Sequence, residues 1–168
     1  LGVSTDRIIY TNPIKPLGAA KYIHNRGIDT FVFDNESELE KLAAEVPGSR
    51  VMLRMNVSNP NCVVDLGQKV GCPPDAADDL LDKAQTLGLV PVGLSFHVGS
   101  QTSIPQPFTD TLVECRNLLN RRALAGYPLN ILDIGGGFPV SYQAIAMSID
   151  TFCEPIHSHL KLYFPETT

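Results

Sequence analysis

The sequence predicts an α/β protein built on a parallel sheet. Five short apolar runs alternate with five segments of helical periodicity, and the linkers between them are short. The apolar runs are also continuous rather than alternating, which is the pattern of strands buried on both faces.

The elements follow in order. The first run is Arg7–Thr11. Leu17–Arg26 reads as a helix, with Leu17, Ala20, Lys21 and His24 at helical spacing and Gly27 placed to end it. The second run is Asp29–Phe33. Asn35 and Glu38 form a capping box for a helix over Glu36–Glu45, whose apolar stripe is Leu39, Leu42, Ala43 and Val46. Arg50–Met55 is the third run, and a helix over Asp75–Leu87 stops at Gly88. Val90–His97 is the fourth run, followed by a helix over Phe108–Ala125 that ends at Gly126. Asn130–Ile134 is the fifth run. A last helix spans about Asp150 to Tyr163, with Pro155 taken as lying near its first turn, where proline is tolerated. Periodicity leaves two architectures open. One is a flavodoxin-like doubly wound sheet, the other a section of a (β/α)₈ barrel, whose closure takes about 250 residues.

Composition narrows the function classes. The 168 residues (18.3 kDa) suit one domain or part of a larger one. A hydrophobic share of 43% against 18% charged is enough for a core and argues against disorder. A net charge of −5 and a pI near 5.2 leave no basic face for a phosphate backbone, so no nucleic-acid partner is expected. No apolar stretch approaches the roughly 20 residues of a membrane span, and no membrane partner is expected. The N-terminus has neither the basic start nor the apolar run of a signal peptide. It also lacks an initiator Met, so the chain is expected to be cut from a longer one. Cys62, Cys72, Cys115 and Cys153 are widely spaced with no CxxC pair, which fits reduced thiols and a cytoplasmic location.

In either architecture the chemistry belongs at the C-terminal ends of the strands, and polar and glycine residues gather there. Gly135-Gly136-Gly137 follows the fifth run. Their N–H groups could converge on phosphate oxygens as a nest, or the glycines could form a plain flexible turn. His97 ends the fourth run and could act as acid or base, stack on an aromatic cofactor, or be a half-buried histidine with a structural partner. Ser100 could donate to phosphate or cap the next turn. Arg54 ends the third run and needs an anion or exposure, so a ligand contact and a rim ion pair both remain open. The loop is neither a GxGxxG nor a Walker motif. His157 and His159 sit two apart on a helix and point apart, so no metal site is expected. Arg121-Arg122 reads as a solvated face.

Four stretches carry a family resemblance: Asp6–Lys15 (DRIIYTNPIK), Phe33–Leu39 (FDNESEL), Ser95–Gln101 (SFHVGSQ) and Leu132–Pro139 (LDIGGGFP). In this order they resemble the fold-type III ornithine/diaminopimelate/arginine decarboxylases, which have an alanine-racemase-like barrel. The eukaryotic-type ornithine decarboxylase branch is most similar. The resemblance implies a partial (β/α)₈ barrel of parallel strands with helices outside, covering about the third to seventh strands. It implies pyridoxal 5'-phosphate as cofactor. His97 would stack on the pyridoxal ring, Ser100 would contact the phosphate, and Gly137, in a loop shaped by Gly135 and Gly136, would offer a backbone N–H. Arg54 matches a family arginine near the cofactor. Lys69 matches a loop lysine of a Ser-x-Lys-Phe-Gly pattern, from which Gly67 and Val70 depart.

The same resemblance implies decarboxylation of a basic amino acid, ornithine or lysine, in polyamine biosynthesis, by a full-length homodimer. The family's cofactor-bearing lysine, its Glu-Pro-Gly-Arg motif and its C-terminal β domain have no counterpart in residues 1–168. The chain is therefore expected to be a single fragment of the barrel domain, inactive alone. Two other readings stand beside this one: a non-catalytic homologue that binds a regulatory protein, as antizyme inhibitors do, and a flavodoxin-like binding module.

Overall fold

A computed structural model of the chain describes residues 2–142 and 147–165. Five strands form one sheet: β1 (Ile9–Tyr10), β2 (Thr30–Phe33), β3 (Arg50–Arg54), β4 (Val90–Ser95) and β5 (Ile131–Asp133). Their order is β1-β2-β3-β4-β5, and every neighbouring pair is parallel. A doubly wound sheet reverses its strand order at a switch point, and this one does not. Sequential order is that of a (β/α)₈ barrel section, so the flavodoxin-like reading is excluded. The helices are α1 (Ala19–His24), α2 (Glu36–Glu45), α3 (Ala77–Thr86), α4 (Gln106–Leu124) and α5 (Ile149–Tyr163).

The chain divides into two compact units. The first comprises Leu1–Met55, Val70–Ser95 and Leu129–Asp133. The second comprises Asn56–Lys69, Phe96–Pro128 and Ile134–Thr168.

In the first unit β2 is buried at all four positions and β3 at its three inner ones, which is why their sequences are unbroken apolar runs. Leu39 and Leu42 of α2, and Ala77, Leu81 and Ala84 of α3, are buried with them. The β3–β4 register slips between Val51 and Met52, opposite Pro91. Pro91 has no N–H for the ladder, so an irregularity there costs little. Gly93, just beyond, lets β5 approach: a Cβ on it would lie 2.3 Å from the Ile131 carbonyl oxygen.

Most elements other than α2 start or end a residue or more away from the sequence expectation. Arg7 closes a 3₁₀ turn (Thr5–Arg7), leaving β1 only two residues long. A second 3₁₀ turn, Pro74–Ala76, precedes α3. β4 ends at Ser95, which leaves His97 outside the strand. Pro155 lies in the second turn of α5 rather than its first, so the Thr151 carbonyl lacks its usual helical donor.

Half of the expected capping box forms. Asn35 Oδ1 accepts from Glu38 N at 2.9 Å, but the Glu38 carboxylate does not return the bond. It is buried and pairs with Lys15 Nζ at 3.0 Å and Lys41 Nζ at 2.5 Å. Lys15 Nζ also donates to the Val32 carbonyl at 2.6 Å and the Asn12 carbonyl at 3.0 Å. Burial pushes the Lys15 ammonium down from its usual range, and the Glu38 hydrogen bond and charge oppose that.

In the second unit the core is aromatic. Phe108 of α4 stacks on Phe138 at 4.8 Å and meets Phe96 and Phe152 edge-on at 6.3 and 6.0 Å. Leu112, Cys115 and Leu118 of α4 and Ile156 of α5 are buried as well.

Removing one partner of a buried ion pair strands the other charge. Glu38→Ala is expected to cost about 3–5 kcal/mol of unfolding free energy in urea titration. A loss under about 1 kcal/mol, typical of exposed pairs, would show that the Lys15–Glu38 contact holds nothing together.

Candidate functional site

The second unit brings together His97, Ser100 and Gly135–Gly137. Phe96 is buried, and the chain leaves it at His97, whose ring is half-buried. His97 Nδ1 accepts from the Gly99 N–H at 3.0 Å. An accepting Nδ1 carries no proton, so the neutral ring holds its proton on Nε2, and that nitrogen faces away from the backbone contact.

The glycine loop is held by close approach rather than by flexibility. A Cβ on Gly135 (φ +65°) would lie 2.0 Å from the Phe96 carbonyl oxygen. One on Gly137 (φ +111°) would lie 2.1 Å from the Gly99 carbonyl oxygen, and one on Gly136 would lie 3.3 Å from His97 Nε2. The loop is therefore closely packed, and no side chain could stand at the two outer positions. Thr102 N donates to the Gly137 carbonyl at 2.8 Å and ties this loop to the turn that carries Ser100.

Ser100 is half-exposed, and its backbone pairs antiparallel with Val64. Its hydroxyl has no hydrogen-bond partner among the described residues, so it caps no turn there. Gln101 beside it has φ +56°, a left-handed conformation unusual outside glycine. Its side chain is fastened at both ends to Val140, with Oε1 accepting from Val140 N at 2.8 Å.

Arg54 belongs to the first unit, at the C-terminal end of β3 in register with Ser95. The rim ion pair is not formed: no carboxylate lies within 4 Å of it among the described residues. Burial pushes the guanidinium down from its usual value, while the charges of Asp34 and Asp133 push it up. Those two carboxylates have other donors. Asp34 accepts from Gly71 N at 2.8 Å and from Asn35 Nδ2 at 2.7 Å, and Asp133 accepts from Ser95 Oγ at 3.0 Å.

Other residues stand apart from this cluster in their contacts. Lys69 is exposed, and its N–H closes a turn onto Leu66. Gly67 departs from the family pattern for a local reason: a Cβ there would lie 2.4 Å from the Val57 carbonyl oxygen. Lys15, near a strand end, is buried among acceptors and is no nucleophile. Burial pushes the Cys72 and Cys115 thiols up to about 12, which makes them unreactive. An open cavity of about 430 Å³ along α5, lined by Asp150, Thr151, Cys153, Glu154 and His157, includes no expected site residue. Among the described residues no cluster of three metal-ligating side chains occurs. Nor is any helix there long and apolar enough to cross a membrane.

Sequence reasoning missed Asn59 and Thr102, both fully buried beside this turn. Ser58-Asn59-Pro60-Asn61 reads locally as a turn, and nothing in it signals a bond to residues 98 and 102.

A sequential parallel α/β sheet with helices between its strands is that of a (β/α)₈-barrel section. The chain belongs to the pyridoxal-dependent decarboxylases: the family model of their pyridoxal binding domain matches residues 1–168. It is 38% identical over 168 residues to a lysine/ornithine decarboxylase of Selenomonas ruminantium, covering 99% of this chain and 43% of that protein. It is 38% identical over 164 residues to an ornithine decarboxylase of Schizosaccharomyces pombe, covering 98% and 37%. A crystal structure of a SrLDC variant in complex with PLP superposes with a TM-score of 0.93 at 37% identity, covering 99% of this chain and 44% of that one. The chain thus spans less than half the length of these relatives. The fold expected from the resemblance, a partial (β/α)₈ barrel, is the observed one.

Two glycines separate close packing from backbone strain. Gly126 has φ +87° with open space around it, so Gly126→Ala is expected to cost about 1–2 kcal/mol from the left-handed conformation alone. Gly137→Ala adds a collision with the Gly99 carbonyl and is expected to cost about 3 kcal/mol or more. Equal urea midpoints for the two variants would mean the loop relaxes and the approach is not required.

Proposed function

We propose that this chain is the cofactor-orienting and phosphate-anchoring part of a pyridoxal-phosphate-dependent decarboxylase acting on ornithine or lysine. One observation carries the reading. The glycine loop is packed on the Phe96 and Gly99 carbonyls with Gly136 against His97 Nε2, beside a Ser100 hydroxyl that nothing in the described residues occupies. Family membership supports it.

The residues present suit the cofactor. His97 offers a flat ring whose orientation is fixed through Nδ1. The Ser100 hydroxyl and the Gly137 N–H would donate to phosphate oxygens, charge-assisted bonds that are about twice as strong as neutral ones. Arg54, a half-buried cation without an ion partner among the described residues, suits an anionic group. When bound, pyridoxal phosphate supplies an electron sink for the pair left as carbon dioxide departs. The protein's task is to hold the ring in one plane and the phosphate in one place.

The whole protein would take a basic amino acid to its diamine in polyamine synthesis, as a cytoplasmic homodimer, with residues 1–168 as one piece of a single barrel domain. The test uses protein expressed from its complete reading frame. Pyridoxal phosphate is expected to bind, with carbon dioxide released from ornithine or lysine. Ser100→Ala is expected to weaken cofactor affinity by about tenfold, the worth of one charge-assisted hydrogen bond. His97→Ala is expected to lower kcat/KM by about 100-fold, the effect of a misplaced reacting group. Cofactor binding without turnover of either amino acid would point to a non-catalytic relative, and no cofactor binding would overturn the reading.

A further inference from the structure

Asn59 is fully buried, yet it lies in a loop, Asn56–Lys69, whose neighbours are mostly exposed. Its side chain makes three hydrogen bonds, using both amide donors and one of the two acceptor positions of its oxygen. Nδ2 donates to the Val98 carbonyl at 2.6 Å and to Thr102 Oγ1 at 3.1 Å, and Oδ1 accepts from Asn61 N at 2.8 Å. The assignment of the amide is forced, because a carbonyl can only accept and a backbone N–H can only donate. Val98 stands two residues before Ser100 and Thr102 two residues after. One amide therefore grips both ends of the five-residue turn that presents the Ser100 hydroxyl. Thr102 N in turn donates to the Gly137 carbonyl at 2.8 Å, which extends the grip to the glycine loop.

The turn needs holding. Gly99 sits at φ +90° and Gln101 at φ +56°, and a non-glycine residue stays in that region only where its surroundings over-determine it. Residues beside Asn59 supply the rest of the collar. Asn61 O accepts from Ser103 N and Oγ at 2.9 and 3.1 Å, and Ser100 exchanges backbone bonds with Val63 and Val64 at 2.9 and 3.0 Å. Cys62 closes on Gly99 so tightly that a Cβ there would lie 2.4 Å from its Sγ.

We infer that Asn59 is a positioning residue for the phosphate end of the ligand. It touches no ligand, and it sets the spacing between the Ser100 hydroxyl and the glycine loop. This rests on the function proposed above. Aspartate could not replace it, since a carboxylate would face the Val98 carbonyl without a donor.

The experiment uses protein from the complete reading frame and two probes, pyridoxal phosphate and phosphate-free pyridoxal, with Kd measured for each. Unaltered protein is expected to bind the phosphorylated probe more tightly. Asn59→Ala is expected to lose about tenfold in affinity for pyridoxal phosphate, the effect of one displaced hydrogen-bond donor, and less than about twofold for pyridoxal. Thr102→Val removes the hydroxyl that Asn59 grips and is expected to show the same split, which covers the case in which Asn59→Ala fails to fold. Equal losses for both probes, no loss for either, or failure of both variants to fold by circular dichroism would make Asn59 a stability residue and overturn the inference alone. Unaltered protein that binds both probes equally would instead overturn the functional reading on which it rests.

Discussion

Strands β2 and β3 bury nearly every side chain they carry, so neither face of the sheet there has room for a polar group without a partner. Polar chemistry is confined to the ends of the strands and the residues just past them. In the first unit Asp34, Arg54, Ser95 and Asp133 stand at or just past the C-terminal ends of their strands. In the second, His97 and the glycine loop come two residues after β4 and β5 end. The same burial requires that those residues satisfy one another locally. Ser95 donates to Asp133, Asp34 takes the Gly71 N–H, and His97 takes the Gly99 N–H.

Once the strand ends carry the chemistry, glycine becomes a matter of distance. The outer two glycines of Gly135-Gly136-Gly137 stand where a Cβ would fall about 2 Å from a carbonyl oxygen, and the middle one faces the histidine ring. A nest of N–H groups needs the backbone itself at the surface of the site, and that requires the neighbouring carbonyls to approach just as closely. Gly67 and Gly93 follow the same rule at places with no ligand chemistry, each against one carbonyl. Close approach alone therefore does not mark a site. What distinguishes 135–137 is that the approach coincides with the His97 turn and with a serine hydroxyl that has no partner among the described residues.

Much of this was legible in the residues. Buried parallel strands write themselves as apolar runs, and α2 has the residue range read for it, because Asn35 is an N-cap whose bond is local. Local signals ended where partners were distant. Glu38 looks like the second half of a capping box, but Lys15, 23 residues away, takes its carboxylate. Asn59 looks like a turn residue, and its partners lie 39 and 43 residues on. His97 looks like the end of a strand because hydropathy continues through Phe96, which lies past β4 and meets Phe108 edge-on. Pro155 falls in the second turn because the helix starts at Ile149, behind its N-cap Ser148.

Lys15 and Arg54 show how burial sorts two cations in the same unit. Each loses hydration on folding, and burial pushes both away from the charged form. Lys15 recovers part of that loss through close partners. A carboxylate and the Val32 and Asn12 carbonyls surround its ammonium, which leaves no donor for anything else. Arg54 recovers part of it from more distant charges. Asp34 and Asp133 act on it through space, while their oxygens bind neutral donors. A guanidinium keeps five donors and cannot lose its charge at ordinary pH, so a partly buried one without a close anion is stable only where water or an incoming anion completes it. Two basic residues near strand ends thus differ in kind. The ammonium is spent on the fold, and the guanidinium at the end of β3 has no ion partner among the described residues.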